Sequence, residues 1–306
     1  MTTVERRRLF GACVCGITAA GLAWQIYAQI DNPAGDFDQH WYSARALLRG
    51  ENPYQALWNM GMESPVYYPA TASTLALPLA ALPLALARVT FIGLGIALLA
   101  FALRPGWRLI WLASGPVLTA LATGQYTTYA TAGVILAPVA MTWAAKPQLA
   151  IALFAAWPSR RALAWALAAL GLSLLVRPSW PWEWLEVMHE AEHIRAAVTR
   201  PGGAILLLAL LRWRRPEARL LTALAVIPHT ESLYDLVPLG LIPNTLREML
   251  LLVGFSLVAV TLQPAPLSGA ELAPSLEAMW PYAMILLYLP CLILVLRRPN
   301  EDMRAV

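Results

Sequence analysis

The chain has 306 residues, of which 59% are hydrophobic and 13% are charged, and its formal net charge is +4. A soluble domain usually carries about 25% charged residues, so this composition excludes an ordinary soluble protein and favours an integral membrane protein. The arginines lie in short clusters beside apolar stretches, an arrangement typical of anchoring at a membrane face. A nucleic-acid partner is excluded because no folded basic surface is indicated, and we expect the lipid bilayer as a partner.

The apolar stretches predict helices, because backbone groups inside hydrocarbon must be paired within their own segment. They include residues 89–103, 203–211 and 279–296. Several are shorter than the roughly 20 residues that cross a bilayer upright, which indicates short or broken helices packed around a cleft. We predict an all-α, polytopic membrane bundle of about 10–12 short transmembrane helices. Residues 1–306 are predicted to form one domain.

The arginine distribution predicts the topology. Residues 9–28 are apolar and follow Glu5-Arg6-Arg7-Arg8, without a clean signal-peptide cleavage site, and we interpret them as an uncleaved first transmembrane helix. Because positive charge stays inside, the N-terminus is expected to be cytoplasmic, together with Arg160-Arg161 and the clusters at 212–219 and 297–298. The predicted location is multi-pass in the plasma (inner) membrane, with the active site outside the cytoplasm.

Two loops are predicted on the non-cytoplasmic side. The first, residues 30–70, is rich in acids and contains a predicted helix at 38–49 that ends at Gly50-Glu51-Asn52-Pro53, by the usual Gly and Pro stop signals. The second, residues 177–201, begins with Trp180-Pro181-Trp182-Glu183-Trp184. Tryptophan prefers the bilayer interface, so this helix is expected to lie on the outer surface.

Asp36 and Asp38 stand where the first helix meets water. A carboxylate at that depth can act as a general base when it is partly desolvated. The alternative is a solvated acid that caps the following helix. Position alone favours the capping role over the role of general base. Further motifs along the chain are needed to choose between the two roles.

The first loop carries an ordered series of residue types: an Asp-Phe pair, an aromatic position, an Ala-Arg-Ala-Leu-Leu run, a Gly and a Pro-Tyr pair. These are Asp36, Phe37, Trp41, residues 44–48, Gly50, Pro53 and Tyr54. Further motifs follow at Tyr68-Pro69 with Pro78-Leu79 and Leu82-Pro83, Gly124-Gln125, Lys146-Pro147 with Arg160-Arg161, and His229-Thr230 with Tyr234-Asp235. In this order they resemble the motifs of glycosyltransferase family 87. The sequence departs from that pattern at His40, where the family usually has an aromatic, and at Ala70, which replaces a second proline.

The resemblance implies a GT-C membrane glycosyltransferase. Such an enzyme transfers a sugar, here expected to be mannose, from a polyprenyl phosphate sugar to a lipid or glycan acceptor at the outer face. It implies Asp36 as the inverting general base, with Asp38 as runner-up. The expected substrate-binding residues are Tyr68, Gln125, Lys146, Arg177 and His229. No cofactor is expected, and the spacing of Asp36-Phe37-Asp38 leaves a divalent metal open.

Three of the expected substrate-binding residues also have a simpler explanation. An anionic donor phosphate in a cleft needs a cation or hydrogen-bond donor beside it, and an ionisable residue within a membrane bundle favours a functional role. Lys146 can instead extend its side chain to the interface, and His229 can be a packed interfacial histidine. Gln125 can instead hydrogen-bond between helices.

Two other classes of protein stay open. The run His189-Glu190-Ala191-Glu192-His193 matches H-E-x-x-H, whose two histidines could hold zinc with Glu190 as the base of an intramembrane metalloprotease. No strong third ligand is evident, although Asp235 is a candidate. A multi-pass transporter or lipid flippase also fits a bundle of broken helices, but such proteins often contain an internal repeat, and none is found here.

Overall fold

The computed structural model of the chain describes residues 2–28, 35–59, 67–189, 194–229, 233–262 and 272–300. Within these ranges every regular element is a helix and none is a strand, which confirms the predicted all-α class. The α-helices, in chain order, are α1 Thr3–Ala28, α2 Asp36–Leu48, α3 Pro53–Asn59, α4 Ala70–Ala76, α5 Leu84–Ala102, α6 Gly115–Thr123, α7 Thr127–Gly133, α8 Pro147–Ala156, α9 Arg160–Val176, α10 Trp180–His189, α11 Pro216–Val226, α12 Leu246–Thr261, α13 Leu272–Ala283 and α14 Leu289–Arg297.

Shorter or tighter helical segments lie between the α-helices. The 3₁₀-helices are Leu77–Leu79, Gly106–Ala113, Ala137–Ala145, Ala197–Thr199, Gly203–Arg212 and Leu233–Leu241. A π-helical stretch, Met284–Tyr288, joins α13 to α14.

Among the described residues, three helices are long and apolar enough to cross a membrane: Thr3–Ala28, Leu84–Ala102 and Glu277–Arg297. A fourth crossing is possible by composition if α9 and α10, which meet at a bend of 97°, are taken together. Large apolar side chains such as Phe10, at 72% exposed, and Ile17, at 74% exposed, lie on the surface, as expected where lipid is the solvent. The finer prediction of about 10–12 crossings is not confirmed.

The helices group into two compact units, and the single domain predicted for residues 1–306 stays a prediction. The first unit comprises residues 1–103, 120–146 and 160–191. Its two long helices pack closely where small residues face each other: a Cβ placed on Gly16 of α1 would lie 2.7 Å from the carbonyl oxygen of Gly93 of α5. Without side chains at that point the two backbones can approach, as in many membrane helix pairs.

The first-loop helix α2 also belongs to the first unit. The prediction of a helix at residues 38–49 is confirmed within two residues, since α2 runs from Asp36 to Leu48. Gly50 follows it with a φ of +72°, in the left-handed region that glycine adopts readily at a helix end. The other predicted loop helix is also present, as α10.

The second unit comprises residues 104–119, 147–159 and 192–306. Two of the arginine clusters that predict a cytoplasmic face meet within it around acidic side chains. Arg298 pairs with Glu248 at 2.7 Å and with Glu217 at 3.5 Å, and Arg215 pairs with Glu217 at 3.5 Å. These contacts tie α11, α12 and the end of α14 together at one end of the unit. The side of the membrane on which they lie stays a prediction.

Candidate functional site

Four polar side chains meet in the first unit, and we call them the Asp36 cluster: Asp36, Tyr68, Gln125 and Lys146. The Tyr68 hydroxyl lies 2.9 Å from Oδ2 of Asp36 and 2.8 Å from Oε1 of Gln125. The Gln125 amide donates to the same carboxylate oxygen, and Nζ of Lys146 donates to Oε1 of Gln125 at 3.1 Å. All four were candidates in the sequence, and the structure brings them together from four separate motifs.

Asp36 owes its position to the start of α2. It is the first residue of the helix and follows Gly35, whose backbone is extended. The backbone N–H groups of a first helical turn lack partners within the helix, so a carboxylate is favoured there. Asp36 is half-buried. The residue is therefore held by its neighbours but is not fully buried.

Gln125 is brought to Asp36 by the glycine that precedes it. Gly124 has a φ of +68°, and a Cβ placed on it would lie 2.8 Å from Cβ of Phe37. Only glycine accepts both the left-handed backbone and this close approach. The turn between α6 and α7 can therefore lie directly against the first turn of α2, with Gln125 beside Asp36.

Lys146 is one of the largest fully buried side chains among the described residues, with 1% of its surface exposed. This burial excludes the alternative in which it extends to the membrane interface. Its ammonium lies 5.6 Å from the centre of the Tyr68 ring and contacts Gln125. A buried cation is stable only with such polar partners. The positive charge of Lys146 in turn favours the binding of an anion beside the cluster.

His40 belongs to the same surroundings, although the sequence suggested it only as a departure from the family pattern. It lies one helical turn after Asp36, and side chains four residues apart share a helix face. Its ring packs edge-on against Tyr68, with 4.5 Å between ring centres, and lies 5.2 Å from Tyr126. Burial, together with the nearby charge of Lys146, lowers the pKa of His40 to about 3, so the ring is neutral.

One ring nitrogen of His40, Nδ1, lacks the hydrogen bond that a buried polar atom usually makes. Its Nδ1 is buried and has no hydrogen-bond partner among the residues that the structure describes. A buried acceptor or donor without a partner costs free energy. The i and i+4 spacing with Asp36 was the signal in the sequence that could have placed His40 in the site.

Asp38, the runner-up base, has a different environment. It is 3% exposed, and both of its carboxylate oxygens accept hydrogen bonds from Arg88 of α5, one of them at 2.5 Å. The Arg88 guanidinium in turn lies 4.7 Å from the centre of the Tyr27 ring. A carboxylate engaged by a guanidinium on both oxygens is poorly suited to accept a substrate proton. The pair joins α2 to α5, and the role of Asp38 as runner-up base stays a prediction.

Arg177 and His229, the remaining substrate-binding candidates, have contacts of their own. Arg177 pairs with Glu183 at 2.7 Å and donates to the carbonyl oxygen of Gly50 at 3.1 Å, so it links the two predicted outer loops. His229 belongs to the second unit, where it is 3% exposed. Its ring nitrogens lie 3.1 Å from the Tyr288 hydroxyl and 2.9 Å from the Ile227 carbonyl oxygen. These contacts describe a packed histidine, and its predicted role with the donor stays a prediction.

The H-E-x-x-H alternative falls largely outside the described residues. His189 is the exposed last residue of α10, whereas residues 190–193, which include Glu190 and His193, are not described. Among the residues that the structure does describe, no group of three His, Cys, Asp or Glu side chains could hold a metal ion. The zinc site stays a prediction from the motif.

The Asp36 cluster places the carboxylate of the half-buried Asp36 beside a neutral amide, a phenol and a buried ammonium. Gln125 and Tyr68 can fix the orientation of the carboxylate, and Lys146 supplies positive charge nearby. A positioned carboxylate can accept a proton, and a cation can stabilise negative charge that develops during a reaction. The arrangement therefore fits proton transfer coupled to an anionic leaving group.

Comparisons of the chain with protein-family models, with curated proteins and with solved structures found no match to any of them. Function is therefore inferred from the chain's own residues and their geometry.

Proposed function

We propose that the chain is a GT-C membrane glycosyltransferase of the kind found in glycosyltransferase family 87. In this proposal it transfers one sugar, expected to be mannose, from a polyprenyl phosphate sugar to a lipid or glycan acceptor outside the cytoplasm. The observation that carries the proposal is the Asp36 cluster. Its four members come from four motifs that resemble the family, spread from residue 36 to residue 146, and they contact one another.

Asp36 is the proposed general base. The acceptor oxygen forms a bond to the anomeric carbon while the bond from that carbon to the donor phosphate oxygen breaks. The hydroxyl proton passes to the Asp36 carboxylate, and the bonding electron pair leaves with the polyprenyl phosphate. A single displacement of this kind inverts the anomeric centre. Half-burial suits the role, since the carboxylate stays accessible while its partners Tyr68 and Gln125 hold it.

Lys146 is the proposed source of positive charge for the donor phosphate. The phosphate gains negative charge as it leaves, and a preorganised cation is most effective where water is excluded. Lys146 is buried and contacts the same Gln125 amide that donates to Asp36. The base and the cation therefore lie close enough to act on one donor.

The test is transfer of a radiolabelled sugar from a panel of polyprenyl phosphate sugars in membranes that contain the chain. Asp36→Asn keeps the shape of the side chain but cannot accept the proton, so transfer is expected to fall by about 10²- to 10⁴-fold. Glu51→Gln is the matched control, because Glu51 is an acid of the same loop that is 47% exposed and pairs only with Arg49 among the described residues. Full activity in Asp36→Asn would contradict the proposed mechanism.

A transporter or lipid flippase is the alternative, and one feature favours it. The span Glu277–Arg297 is interrupted by Pro281 and by a π-helical stretch, and discontinuous helices of this kind often line transport sites. The same membranes distinguish the two functions. Absence of transfer from every donor in the panel, with uptake or flipping of a labelled lipid that Asp36→Asn abolishes, would favour transport.

A further inference from the structure

Residues 67–69 carry the Tyr68 side chain to the Asp36 cluster, and they lie outside any helix, directly before α4. Pro69 has no N–H to donate, and the residue before a proline is restricted to extended conformations. Outside a helix, the carbonyl oxygens of this segment need other hydrogen-bond donors. The donors that hold them therefore help to decide where the Tyr68 ring points.

Two aromatic side chains donate to this segment. Nε1 of Trp184, in α10, donates to the carbonyl oxygen of Tyr67 at 3.0 Å. The hydroxyl of Tyr54, in α3, donates to the carbonyl oxygen of Tyr68 at 3.3 Å. These two carbonyl groups belong to the peptide units on either side of the Tyr68 Cα. Because each peptide unit is planar and rigid, holding both of them fixes the direction in which the Tyr68 side chain leaves the backbone.

The Tyr68 hydroxyl depends on this direction, because it stands at the far end of the side chain. A small rotation of the backbone therefore moves the hydroxyl by a larger distance. The hydroxyl lies 2.9 Å from Oδ2 of Asp36 and 2.8 Å from Oε1 of Gln125. Hydrogen bonds of a hydroxyl to oxygen are usually about 2.5–3.0 Å long, so a modest displacement weakens both contacts.

The inner face of α10 carries Trp184 to the segment. Trp180 and Trp184 are four residues apart, so they share one side of the helix, and their ring centres lie 6.2 Å apart. Trp180 is buried with Tyr54 in a hydrophobic cluster, and the rings of Tyr68 and Trp184 pack against that cluster. Trp182 lies on the other side of α10 and is 71% exposed. The helix therefore offers one buried indole that contacts the segment and one exposed indole for comparison.

The first turn of α10 is tied to the end of α2. Arg177 pairs with Glu183 of α10 at 2.7 Å and donates to the carbonyl oxygen of Gly50 at 3.1 Å. Gly50 follows α2, the helix whose first residue is Asp36. One helix, α10, therefore contacts both the backbone that carries Tyr68 and the helix that carries the carboxylate.

We propose that Trp184 is a positioning residue for sugar transfer: by holding the Tyr67 carbonyl, its indole N–H keeps the Tyr68 hydroxyl on the Asp36 carboxylate. Trp184 acts through Tyr68, which orients the base. The inference rests on the proposed function, because it gives α10 a part in transfer by the Asp36 cluster. Its geometric content, the placement of the Tyr68 hydroxyl, can be measured without any transfer reaction.

The first experiment measures transfer kinetics with the full chain in nanodiscs. Trp184→Phe keeps an aromatic ring for the cluster but removes the N–H. The kcat is expected to fall by about 10- to 100-fold, because small displacements of positioning groups are costly to catalysis. The KM for the polyprenyl phosphate sugar should stay within about twofold of the wild type, since the interaction lost serves the transition state. Trp182→Phe is the matched control on the same helix and should leave both quantities unchanged.

A double variant separates positioning from a purely structural role. Tyr68→Phe removes the hydroxyl itself, so the addition of Trp184→Phe should lower kcat no further. Residues that act through one contact show such non-additive effects, whereas independent losses add. All variants are compared at temperatures where their unfolding curves show a folded protein. Losses in kcat that add in the double variant would overturn the proposal.

Fluorine NMR tests the placement of the hydroxyl independently of transfer. Fluorinated tyrosine at position 68 should change its chemical shift in Trp184→Phe but not in Trp182→Phe, because only the first variant releases the segment. An unchanged signal in Trp184→Phe would overturn the proposal, as would a wild-type kcat in that variant. If the wild type transfers sugar from no donor, the proposed function fails, and the fluorine signal alone decides whether Trp184 positions Tyr68.

Discussion

The carboxylate of Asp36 and the ammonium of Lys146 contact opposite ends of one side-chain amide, that of Gln125. The amide nitrogen donates to the carboxylate, and the amide oxygen accepts from the ammonium. A glutamine in this position holds an anion and a cation near each other in a fixed geometry. In the proposed function, the acceptor sugar or lipid approaches the first group and the donor phosphate the second.

Lys146→Met tests the cationic side of this arrangement. Methionine has a similar length and can remain buried, but it has no charge for the donor phosphate. We expect the KM for the polyprenyl phosphate sugar to rise by about 10- to 100-fold, which corresponds to the roughly 1.5–3 kcal/mol of a hydrogen bond to a charged group. The measurement is initial transfer rate against donor concentration in detergent or nanodiscs.

Arg45→Gln is the control for a general effect of positive charge in this region. Arg45 is an exposed cation of α2 whose guanidinium lies over the Trp41 ring at 4.7 Å. Its loss should leave the donor KM within about twofold of the wild type, because exposed charges are screened by solvent and salt. Equal KM values for Lys146→Met and the wild type, with both proteins folded, would remove Lys146 from the donor site.

The sequence predicted the members of the Asp36 cluster but could not predict that they touch. Asp36, Tyr68, Gln125 and Lys146 were selected by their order along the chain and by resemblance to a family pattern. Their contacts depend on the turn at Gly124, whose positive φ is a tertiary feature. The end of α2 was predictable, since Gly50 and Pro53 are strong local stop signals. The start of α2 was predicted at residue 38, two residues too late, because Asp38 is as suitable a residue for the beginning of a helix as Asp36.

The partner of Asp38 was beyond the reach of sequence patterns. Arg88 stands 50 residues away, just before the stretch at 89–103 that hydropathy identifies, and it reads as an ordinary boundary charge. In the structure it lies within α5 and is 8% exposed. Only the packing of α2 on α5 brings the two charges together.

The Asp38–Arg88 pair predicts a large effect on stability. Asp38→Asn leaves a buried guanidinium without its counter-charge, and the free energy of unfolding should fall by about 3–5 kcal/mol. The double variant Asp38→Asn with Arg88→Gln removes both charges and should recover part of that loss. The measurement is a double-mutant cycle on detergent-solubilised protein, with Glu51→Gln as the exposed-acid control.

The same variants separate structure from chemistry at Asp38. If the carboxylate only joins α2 to α5, the double variant should regain transfer along with stability. A double variant that is as stable as the wild type but inactive would instead return Asp38 to the role of base.

His40 predicts a pH dependence of stability. Its pKa is lowered to about 3 in the folded chain, against an ordinary value of 6.5, so the unfolded chain binds a proton in this interval and the folded chain does not. Stability therefore falls as the pH drops below about 6.5, by up to roughly 1.4 kcal/mol per pH unit. His40→Phe should remove this part of the pH dependence while it keeps the aromatic packing on Tyr68 and Tyr126. Thermal unfolding midpoints between pH 5 and pH 8 measure the effect.

His189→Phe is the control for this pH dependence. His189 is exposed at the end of α10, so its replacement removes a histidine without disturbing the packing on Tyr68 and Tyr126. At pH 8 the His40→Phe protein should be at least as stable as the wild type, because a buried Nδ1 without a described partner is removed. A His40→Phe protein with an unchanged slope would contradict the burial of a neutral ring.

The last prediction concerns Gly124, which must adopt a positive φ and must also leave room for Phe37. Gly50 has only the first of these two requirements, so a comparison of the two glycines separates them. Gly124 has a φ of +68° and lies against Phe37, whereas Gly50 has a φ of +72° and nothing within 4 Å of an added Cβ. Gly50→Ala therefore introduces only backbone strain, about 1–2 kcal/mol of lost stability, and should leave transfer unchanged. Gly124→Ala adds a steric clash with Cβ of Phe37. Gly124→Ala should therefore destabilise the protein more than Gly50→Ala and should move Gln125 away from Asp36.

In Gly124→Ala we expect transfer to fall by at least tenfold even at temperatures where the protein stays folded, because small displacements of positioning groups are costly to catalysis. The measurements are kcat and unfolding midpoint for both variants. If Gly124→Ala matched Gly50→Ala in both quantities, the close contact with Phe37 would not be what positions Gln125.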